Sequence, residues 1–434
     1  MKAFLKLAAA TLALALPTAV SAQDVTITNA KLAIGDGSDP IDDGMVIVRN
    51  GTIVFAGTAA NAPAGRQSGT MVDARGQWVS PGIFMPLTNL GLWDVGAVSE
   101  SNDIRAGDSL FGAALDASTA VNYASQHIAV SRAGGVTRAT ISTGPSGSIF
   151  AGQGAAIDLG ADPDAIVAAK SFQLVLLGET GARLAGGSRV AAYAEFANAL
   201  HEAKAYAAGN WNAEASLLTR ADAAALVSVI GGSQKLYVHV ERAADIRAVL
   251  ALRSTYPKLD MVLVGVSEGW IVADAIAASG VPVIADPLDN LPANFEELGA
   301  TQSNVGRMVD AGVTVALGGL SGGITGPRTA PQFAGNLVAL SKVPGASGLT
   351  WGEALASITS IPAEISGFGG KYGVLKAGAA ADVVIWDGDP LEVSSAPTKV
   401  FIDGIEQPLT NHQTRLRDRY KDLDESDLPK AYDW

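Results

Sequence analysis

Hydrophobic and polar positions follow two different patterns along the chain. Residues 24–80 contain short runs in which apolar and polar residues alternate, as in Val25-Thr26-Ile27-Thr28-Asn29-Ala30, which is typical of strands with one buried face. The β-rich run of residues 44–49 is joined to a second run, 52–57, by Asn50-Gly51, a strong signal for a two-residue hairpin turn. This first part of the chain is therefore predicted to consist of strands and turns.

The middle of the chain, residues 81–370, alternates apolar β-rich runs with alanine-rich helical stretches, which indicates repeated β-α units. The predicted strands are 82–87, 137–142, 172–177, 235–240, 261–266, 281–285 and 313–317. Seven such runs approach the eight strands of a TIM barrel, so the predicted fold class is α/β with a (β/α)8 TIM-like barrel.

Strands return in residues 371–409, and a polar, charged tail follows in residues 410–434. Because strands precede and follow the barrel, we expect one small β-sandwich domain formed by both termini.

The N-terminus predicts export. Lys2 and Lys6 precede an apolar run over residues 7–16. A stretch of small residues follows and ends with Val20-Ser21-Ala22. These are the charged head, short apolar core and cleavage site of a signal peptide, and the run is too short to span a membrane. Residues 1–22 are therefore predicted to be a signal peptide cleaved after Ala22, an uncleaved anchor being the alternative. A periplasmic location is expected if the organism is a Gram-negative bacterium.

Composition excludes several function classes. The net charge is −13 with no basic run, which argues against nucleic-acid binding. The chain has no cysteine, which excludes disulfides and thiolate metal ligands. No second apolar run reaches spanning length, so we expect no membrane span after signal cleavage.

Three phrases carry a family resemblance. Residues 80–92, Ser-Pro-Gly-Ile-Phe-Met-Pro-Leu-Thr-Asn-Leu-Gly-Leu, resemble the first barrel strand of the amidohydrolase superfamily of metal-dependent hydrolases. Residues 44–53 and 72–82 resemble that family's opening hairpin and its entry to the barrel. Residues 372–386 resemble its closing phrase, G-x-L-x-x-G-x-x-A-D. The resemblance covers nearly the whole chain after residue 22, and it implies a hydrolase of C–N bonds.

The same resemblance implies that most metal ligands are replaced. The first strand of the family carries Asp-x-His-x-His, and these positions fall on Met85, Leu87 and Asn89. The sixth-strand histidine falls on Gly265 and the eighth-strand aspartate on Leu320. Leucine and glycine side chains donate no lone pair, and an amide oxygen is a poor zinc ligand. We therefore expect no metal cofactor, although the family would use zinc or another divalent metal.

The remaining candidates lie at predicted strand ends. The resemblance puts His239 on the family's fifth-strand histidine, and Glu179 follows the fourth strand. Both are candidate catalytic residues, although a hydrogen-bonded pocket histidine is the simpler interpretation of His239. Arg328 and Asp286 are candidate substrate-binding residues. Further acids at strand ends are Asp94, Glu100, Glu268 and Asp289, and the other histidines are His127, His201 and His412, of which the last two are expected to be solvated.

Glycine- and serine-rich loops follow two predicted strands, at residues 142–148 and 318–323. Their backbone amides could cradle an anion, but tight barrel turns are the favoured interpretation.

Three functions stay open at this point. The chain is a C–N hydrolase with a rearranged or metal-free site around His239 and Glu179, or a non-catalytic pseudoenzyme that is the partner subunit of an active relative. The third alternative is a periplasmic protein that binds a small molecule. Self-association, or pairing with an active amidohydrolase, is expected in each case because two-fold assembly is common among such folds.

Overall fold

The computed structural model describes residues 23–65, 69–145, 147–287, 289–318 and 326–421. The predicted signal peptide, Leu320 and the last part of the tail (422–434) lie outside the described residues. Among the helices that are described, none is long and apolar enough to cross a membrane.

The strands match most of the predicted runs. In chain order they are β1 (Val25–Leu32), β2 (Ile41–Arg49), β3 (Thr52–Thr58), β4 (Thr70–Asp73), β5 (Trp78–Pro81), β6 (Ile83–Thr88), β7 (Val136–Ile141), β8 (Phe150–Asp158), β9 (Ile166–Leu176), β10 (Lys235–Val240), β11 (Met261–Gly265), β12 (Val283–Ala285), β13 (Val315–Leu317), β14 (Val383–Trp386), β15 (Pro397–Ile402) and β16 (Ile405–Glu406).

The α-helices lie between barrel strands and in the C-terminal third of the chain. In chain order they are α1 (Gln126–Ala133), α2 (Gly178–Leu184), α3 (Arg189–Ala207), α4 (Arg220–Ala225), α5 (Val227–Gly231), α6 (Ala243–Thr255), α7 (Ala273–Ser279), α8 (Asn304–Asp310), α9 (Ala330–Leu340), α10 (Trp351–Ala356), α11 (Ser360–Ile365) and α12 (His412–Tyr420).

Strands from both termini form one sheet. Its order is β16-β15-β14-β5-β1-β2-β3, with β4 beside β1. The strand β5 joins the two parts, because it pairs parallel to β1 and antiparallel to β14. Both parts contribute buried side chains to one core, including Ile27, Val46, Val79, Val383 and Phe401. The composite origin of this sheet agrees with the prediction, whereas its description as a sandwich stays a prediction.

The second sheet is a nearly closed barrel of eight strands, in the order β6 to β13. The strands β9 to β13 are parallel neighbours, as in a (β/α)8 barrel. The third strand, β8, runs antiparallel to both β7 and β9, which differs from the expected pattern. The connections that flank it, 142–149 and 159–165, are too short for a helical crossover, so β7, β8 and β9 form consecutive hairpins. The glycine- and serine-rich loop 142–148 is thus part of a hairpin connection.

The barrel closes through a connecting segment between the first and last strands. Pro86 in β6 has no N–H to donate toward β13, and Gly318 after β13 lies so close that an added Cβ would be 2.8 Å from the Pro86 ring. Two backbone N–H groups instead bond to the segment before α11: Phe84 donates to the Ile358 carbonyl (3.0 Å) and Leu317 to the Ser357 carbonyl (2.9 Å).

The barrel interior is a packed apolar core. Phe172 of β9 and Tyr237 of β10 stack with ring centroids 4.2 Å apart. Leu87, Val264 and Ile284 belong to the same buried cluster, and Ile365 of α11 packs against it. The functional residues therefore have to lie at the rim of the barrel, where the strands end.

Candidate functional site

His239 lies at the carboxyl end of the fifth barrel strand, β10. Because side chains alternate along a strand, His239 shares the interior face with Tyr237. Its backbone carbonyl accepts a hydrogen bond from the Leu177 N–H (3.0 Å), which ties the ends of the fourth and fifth strands together. The side chain is 14% exposed. The structure therefore puts the predicted histidine at the rim of the barrel, largely buried.

The partner of this histidine is Glu241, two residues further along the chain. His239 Nε2 lies 2.9 Å from Glu241 Oε1. The other carboxylate oxygen, Oε2, accepts hydrogen bonds from the backbone N–H and the Oγ of Ser267, both at 2.8 Å. Glu241 is itself buried. Its carboxylate is thus held in one orientation and in turn orients the imidazole ring.

The protonation of His239 reflects opposing effects. Burial lowers its pKa, but the hydrogen bond and charge of Glu241, with the charges of Glu296 and Glu297, raise the pKa above the ordinary 6.5. The second ring nitrogen, Nδ1, is buried and makes no hydrogen bond to the described residues. A buried polar nitrogen without a hydrogen-bond partner is uncommon in folded proteins.

Glu179 is the second residue of α2, and its carboxylate faces arginines. It lies 3.8 Å from Arg183 and 4.0 Å from Arg189. Its backbone N–H donates to Glu296 Oε2 at 2.5 Å, and the same oxygen accepts from Arg189 Nη2 at 3.2 Å. Burial raises the pKa of Glu296, which the Glu179 N–H and the charges of His239 and Arg189 partly offset. The structure thus links Glu179 to the site through Glu296, while Glu241 is the carboxylate on His239.

The structure describes three of the four positions at which the resemblance implies a lost metal ligand. Leu87 is buried in the barrel core, and the Asn89 side-chain amide donates to the Ser142 carbonyl at 2.8 Å. A Cβ on Gly265 would lie 2.1 Å from Glu241 Oε1, so the glutamate carboxylate fills the space beside this glycine. Gly265 also has a φ of +88°, which disfavours any other residue. Leu320 lies outside the described residues.

This donor set does not fit a family-type zinc site. The leucine and glycine side chains offer no lone pair, and the amide oxygen of Asn89 is a poor zinc ligand. Among the residues the structure describes, no group of three histidine, cysteine, aspartate or glutamate side chains could hold a metal ion.

A cavity of about 320 Å³ lies where the barrel closes, between the first and last strands. Asp286 and Arg328, the predicted substrate-binding residues, both line it. The Arg328 guanidinium donates to the Gln413 side-chain oxygen at 2.8 Å. The apolar part of the wall consists of Met85, Leu87, Leu90, Trp93, Leu317 and Phe333. Neither His239 nor Glu241 lines this cavity, so it is separate from the histidine–glutamate pair.

Two further histidines line the same cavity. His127 stacks on Trp93 with ring centroids 3.8 Å apart, and its Nε2 lies 3.0 Å from the Asp94 carbonyl oxygen. His412 is half-buried at the start of α12, so the expectation that it is solvated was wrong, because α12 packs back against the barrel. His201 is exposed, as expected.

The remaining acidic candidates have mixed roles. Glu268 is structural: its two carboxylate oxygens accept from the backbone N–H groups of Ala243 (2.9 Å) and Gly299 (3.0 Å). Asp289 is half-buried near the pair, 3.4 Å from Ser267 Oγ, and burial together with neighbouring Asp286 and Glu241 raises its pKa to about 6. Glu100 is exposed, and the side chain of Asp94 bonds to Asn122.

Sequence reasoning missed Glu241, Ser267 and Glu296. Glu241 could have been found, since it follows a strand-end histidine at a spacing of two, the period of side chains on one face of a strand. Ser267 and Glu296 reach the site from other strand ends, and no local pattern marks them.

Known proteins resemble this chain in both sequence and fold. A family profile described as "Amidohydrolase family" matches residues 272–404. A protein named amidohydrolase tasK, from Hapsidospora irregularis, is 52% identical over 60 residues, which are 14% of this chain and 6% of that protein. An imidazolonepropionase from Xanthomonas euvesicatoria is 44% identical over 71 residues, or 15% of this chain and 18% of that protein.

A solved structure extends the likeness along most of the chain. The crystal structure of an amidohydrolase from Thermotoga maritima superposes with a TM-score of 0.76 at 21% identity, covering 88% of this chain and 99% of the other. At that identity the superposition shows only that the two proteins share a fold. The profile and the two local matches show similarity in sequence over parts of the chain. With the three phrases of the sequence, these findings show that the chain is similar to the amidohydrolase family over residues 272–404 and shares an amidohydrolase fold along most of its length.

Proposed function

We propose that this protein hydrolyses the C–N bond of a small amide-type molecule at the rim of the barrel, with His239 as the general base. The observation that carries the proposal is the hydrogen bond between His239 Nε2 and Glu241 Oε1, with Ser267 fixing the carboxylate. A base oriented by a third group is the arrangement that acid–base and nucleophilic catalysis require. The similarity to amidohydrolases supports the choice of a C–N bond.

The hydrogen bond determines which nitrogen can act. In the neutral ring Nε2 carries the proton that it donates to Glu241, so Nδ1 carries the lone pair. Nδ1 would take a proton from the attacking water, and the Glu241 carboxylate would stabilise the imidazolium that forms. The proton would then pass to the leaving nitrogen. Because the pKa of His239 is raised, the active neutral form becomes dominant only as the pH rises above that pKa.

No step of this reaction runs through a metal, because the donor set at the family's ligand positions does not fit one. The barrel supplies position and burial, and Glu241 supplies charge. Glu179, the other predicted catalytic residue, has a supporting part here, because its backbone N–H holds Glu296 beside the pair.

The test is an assay of the purified protein in a chelator, against imidazolone propionate, N-acyl amino acids and dipeptides. We expect hydrolysis of at least one substrate to survive chelation and to increase with pH. His239→Ala should lower kcat/KM by roughly a hundredfold or more, the usual contribution of a general base. The exposed His201→Ala is the matched control and should leave the rate unchanged. Activity lost on chelation, or retained in His239→Ala, would contradict the proposal.

A second function, binding without catalysis, is favoured by one observation. The cavity between the first and last strands, lined by Asp286 and Arg328, does not include the histidine–glutamate pair. A protein that only binds a small amide would use this cavity and would tolerate His239→Ala. In a thermal-shift screen with the same compounds, Asp286→Asn should then abolish the shift and His239→Ala should preserve it. The opposite result favours hydrolysis at His239.

Export to the periplasm and pairing with itself or an active amidohydrolase stay proposals from the sequence. A non-catalytic partner subunit of an active relative is a separate alternative to the binding of a small molecule. N-terminal sequencing of the protein from the envelope fraction tests export. Mass spectrometry of the proteins that co-purify with it tests the pairing.

A further inference from the structure

The segment 290–300, between β12 and α8, combines one buried acid with several exposed apolar side chains. Leu291, Phe295 and Leu298 are 79%, 83% and 66% exposed, whereas Glu296 is 3% exposed. Folding normally buries leucine and phenylalanine and leaves glutamate in water. The inverted pattern indicates that contacts of the Glu296 carboxylate, rather than apolar burial, hold the middle of this segment in place.

Glu296 fits into a cradle at the start of α2. Its Oε2 accepts from the Glu179 backbone N–H (2.5 Å) and from Arg189 Nη2 (3.2 Å). A Cβ on Gly178, whose φ is +65°, would lie 2.6 Å from the same oxygen. The glycine is therefore required for the carboxylate to reach the helix N–H, and a charged acceptor there gives a stronger bond than a neutral one.

The end of the segment is anchored separately. The Gly299 N–H donates to Glu268 Oε1 at 3.0 Å, and the Gly299 carbonyl accepts from Trp270 Nε1 at 2.8 Å. The neighbouring acid Glu297 bonds within the segment, to the Ala293 N–H (3.1 Å) and the Asn294 side chain (3.0 Å). The middle of the segment can thus detach from α2 while its end stays fixed.

The segment is close to the histidine–glutamate pair because both contact the start of α2. Leu177, the residue before α2, donates its backbone N–H to the His239 carbonyl at 3.0 Å, and Glu179, two residues later, donates to Glu296. The charges of Glu296 and Glu297 also help to raise the pKa of His239. His239 Nδ1 is buried, so a water or substrate cannot reach it in this conformation.

We infer that Glu296 is a positioning residue that latches the segment 290–300 to the start of α2, beside His239, and that release of this latch gives a small molecule access to the Nδ1 nitrogen. The inference rests on the proposed function only for the reaction at Nδ1. The latch itself is a statement about contacts and can be tested without any turnover.

The latch predicts two measurable properties of the free protein. In Glu296→Ala, hydrogen exchange in a peptide covering residues 178–184 should accelerate by roughly tenfold, since the Glu179 N–H loses a charged acceptor. Modification of His239 by diethyl pyrocarbonate, read by mass spectrometry, should accelerate as well. Glu297→Ala is the matched control, because it removes an acid whose charge also acts on His239 but leaves the contact with α2. Its exchange rate should stay near that of the wild type, and its modification rate should rise less than that of Glu296→Ala.

Two further variants separate a latch from a general loss of structure. Glu296→Gln keeps an oxygen for the Glu179 N–H and should restore most of the protection. Gly178→Ala keeps the acid but blocks its cradle, so it should open the segment as Glu296→Ala does. If Glu296→Ala does not fold, Glu296→Gln and Gly178→Ala still provide the comparison.

The outcomes distinguish the latch from the proposed function. Unchanged exchange and unchanged His239 modification in folded Glu296→Ala or Gly178→Ala would overturn the latch, whatever activity is found. Faster modification with no hydrolysis of any substrate would leave the latch standing and remove the proposed function.

Discussion

A buried histidine paired with a buried glutamate is the feature on which the site depends. The side chains of His239 and Glu241 are largely removed from water, and their 2.9 Å contact compensates part of the cost of burying them. Gly265 makes room for the carboxylate, since a Cβ at this position would lie 2.1 Å from Glu241 Oε1. The pair at the end of the fifth strand therefore depends on a glycine at the end of the sixth.

The His239–Glu241 pair predicts a pH dependence of stability. A raised pKa in the folded state means that the protonated histidine stabilises the fold; this contribution is full below the ordinary pKa of 6.5 and is lost as the pH rises through the folded-state value. Between about pH 5.5 and pH 9 the free energy of unfolding of the wild type should therefore fall more than that of His239→Gln. Denaturant titrations of both proteins measure this. Parallel pH profiles would mean that His239 is not coupled to Glu241.

Among the elements, α11 has the most unusual position, because it lies against the barrel interior. Ile365 is 3% exposed and packs against the cluster formed by Leu87, Phe172 and Tyr237. The preceding residues, Ser357 and Ile358, accept hydrogen bonds from the first and last strands. This segment thus closes the barrel where β6 and β13 do not pair.

Removing the apolar contact of α11 should destabilise the whole barrel. Ile365→Ala would leave a cavity in a packed core, at an expected cost of about 2–5 kcal/mol in the free energy of unfolding. Val393→Ala, at a residue that is 76% exposed, is the control and should change it by less than about 0.5 kcal/mol. A similar small effect for both variants would show that α11 does not hold the barrel closed.

On the scale of the whole molecule, one buried arginine joins the barrel to the composite sheet. Arg138 of β7 donates two hydrogen bonds to Asp382, at 2.7 and 3.0 Å, and also pairs with Asp403 at 2.7 Å. Its guanidinium lies 4.3 Å from the Tyr372 ring centroid. Asp382 immediately precedes β14, so the closing phrase of the sequence attaches the last strands to the barrel.

Arg138→Met should weaken this attachment, because it leaves Asp382 buried without its partner. The expected loss is about 3–5 kcal/mol in the free energy of unfolding, measured by denaturant titration. Lys235→Met is the control, since the Lys235–Asp260 pair lies near the surface and such pairs contribute at most about 1 kcal/mol. Equal effects of the two substitutions would mean that the junction is held by apolar packing alone.

The sequence predicted those features that repeat locally. The alternation in 25–30 and the Asn50-Gly51 turn gave the first strands, and β10 was predicted with its observed bounds. The strand β8 was missed because Phe150–Asp158 contains three glycine or glutamine residues among alanines, a composition without a clear strand signal. His239 was found at a strand end, but its partner was sought at Glu179.

By itself, the sequence determined the α/β class, seven of the eight barrel strands and a first β-region built from both ends of the chain, because periodicity and short phrases encode them locally. Only the tertiary structure decided three features: the antiparallel direction of the third strand, the closure of the barrel by the segment before α11, and the side chains that surround His239. Glu241, Ser267 and Glu296 come from different strand ends, as do the walls of the cavity. Contacts between residues far apart in the chain depend on how the strands register and where the loops fold back, and no local pattern contains that information.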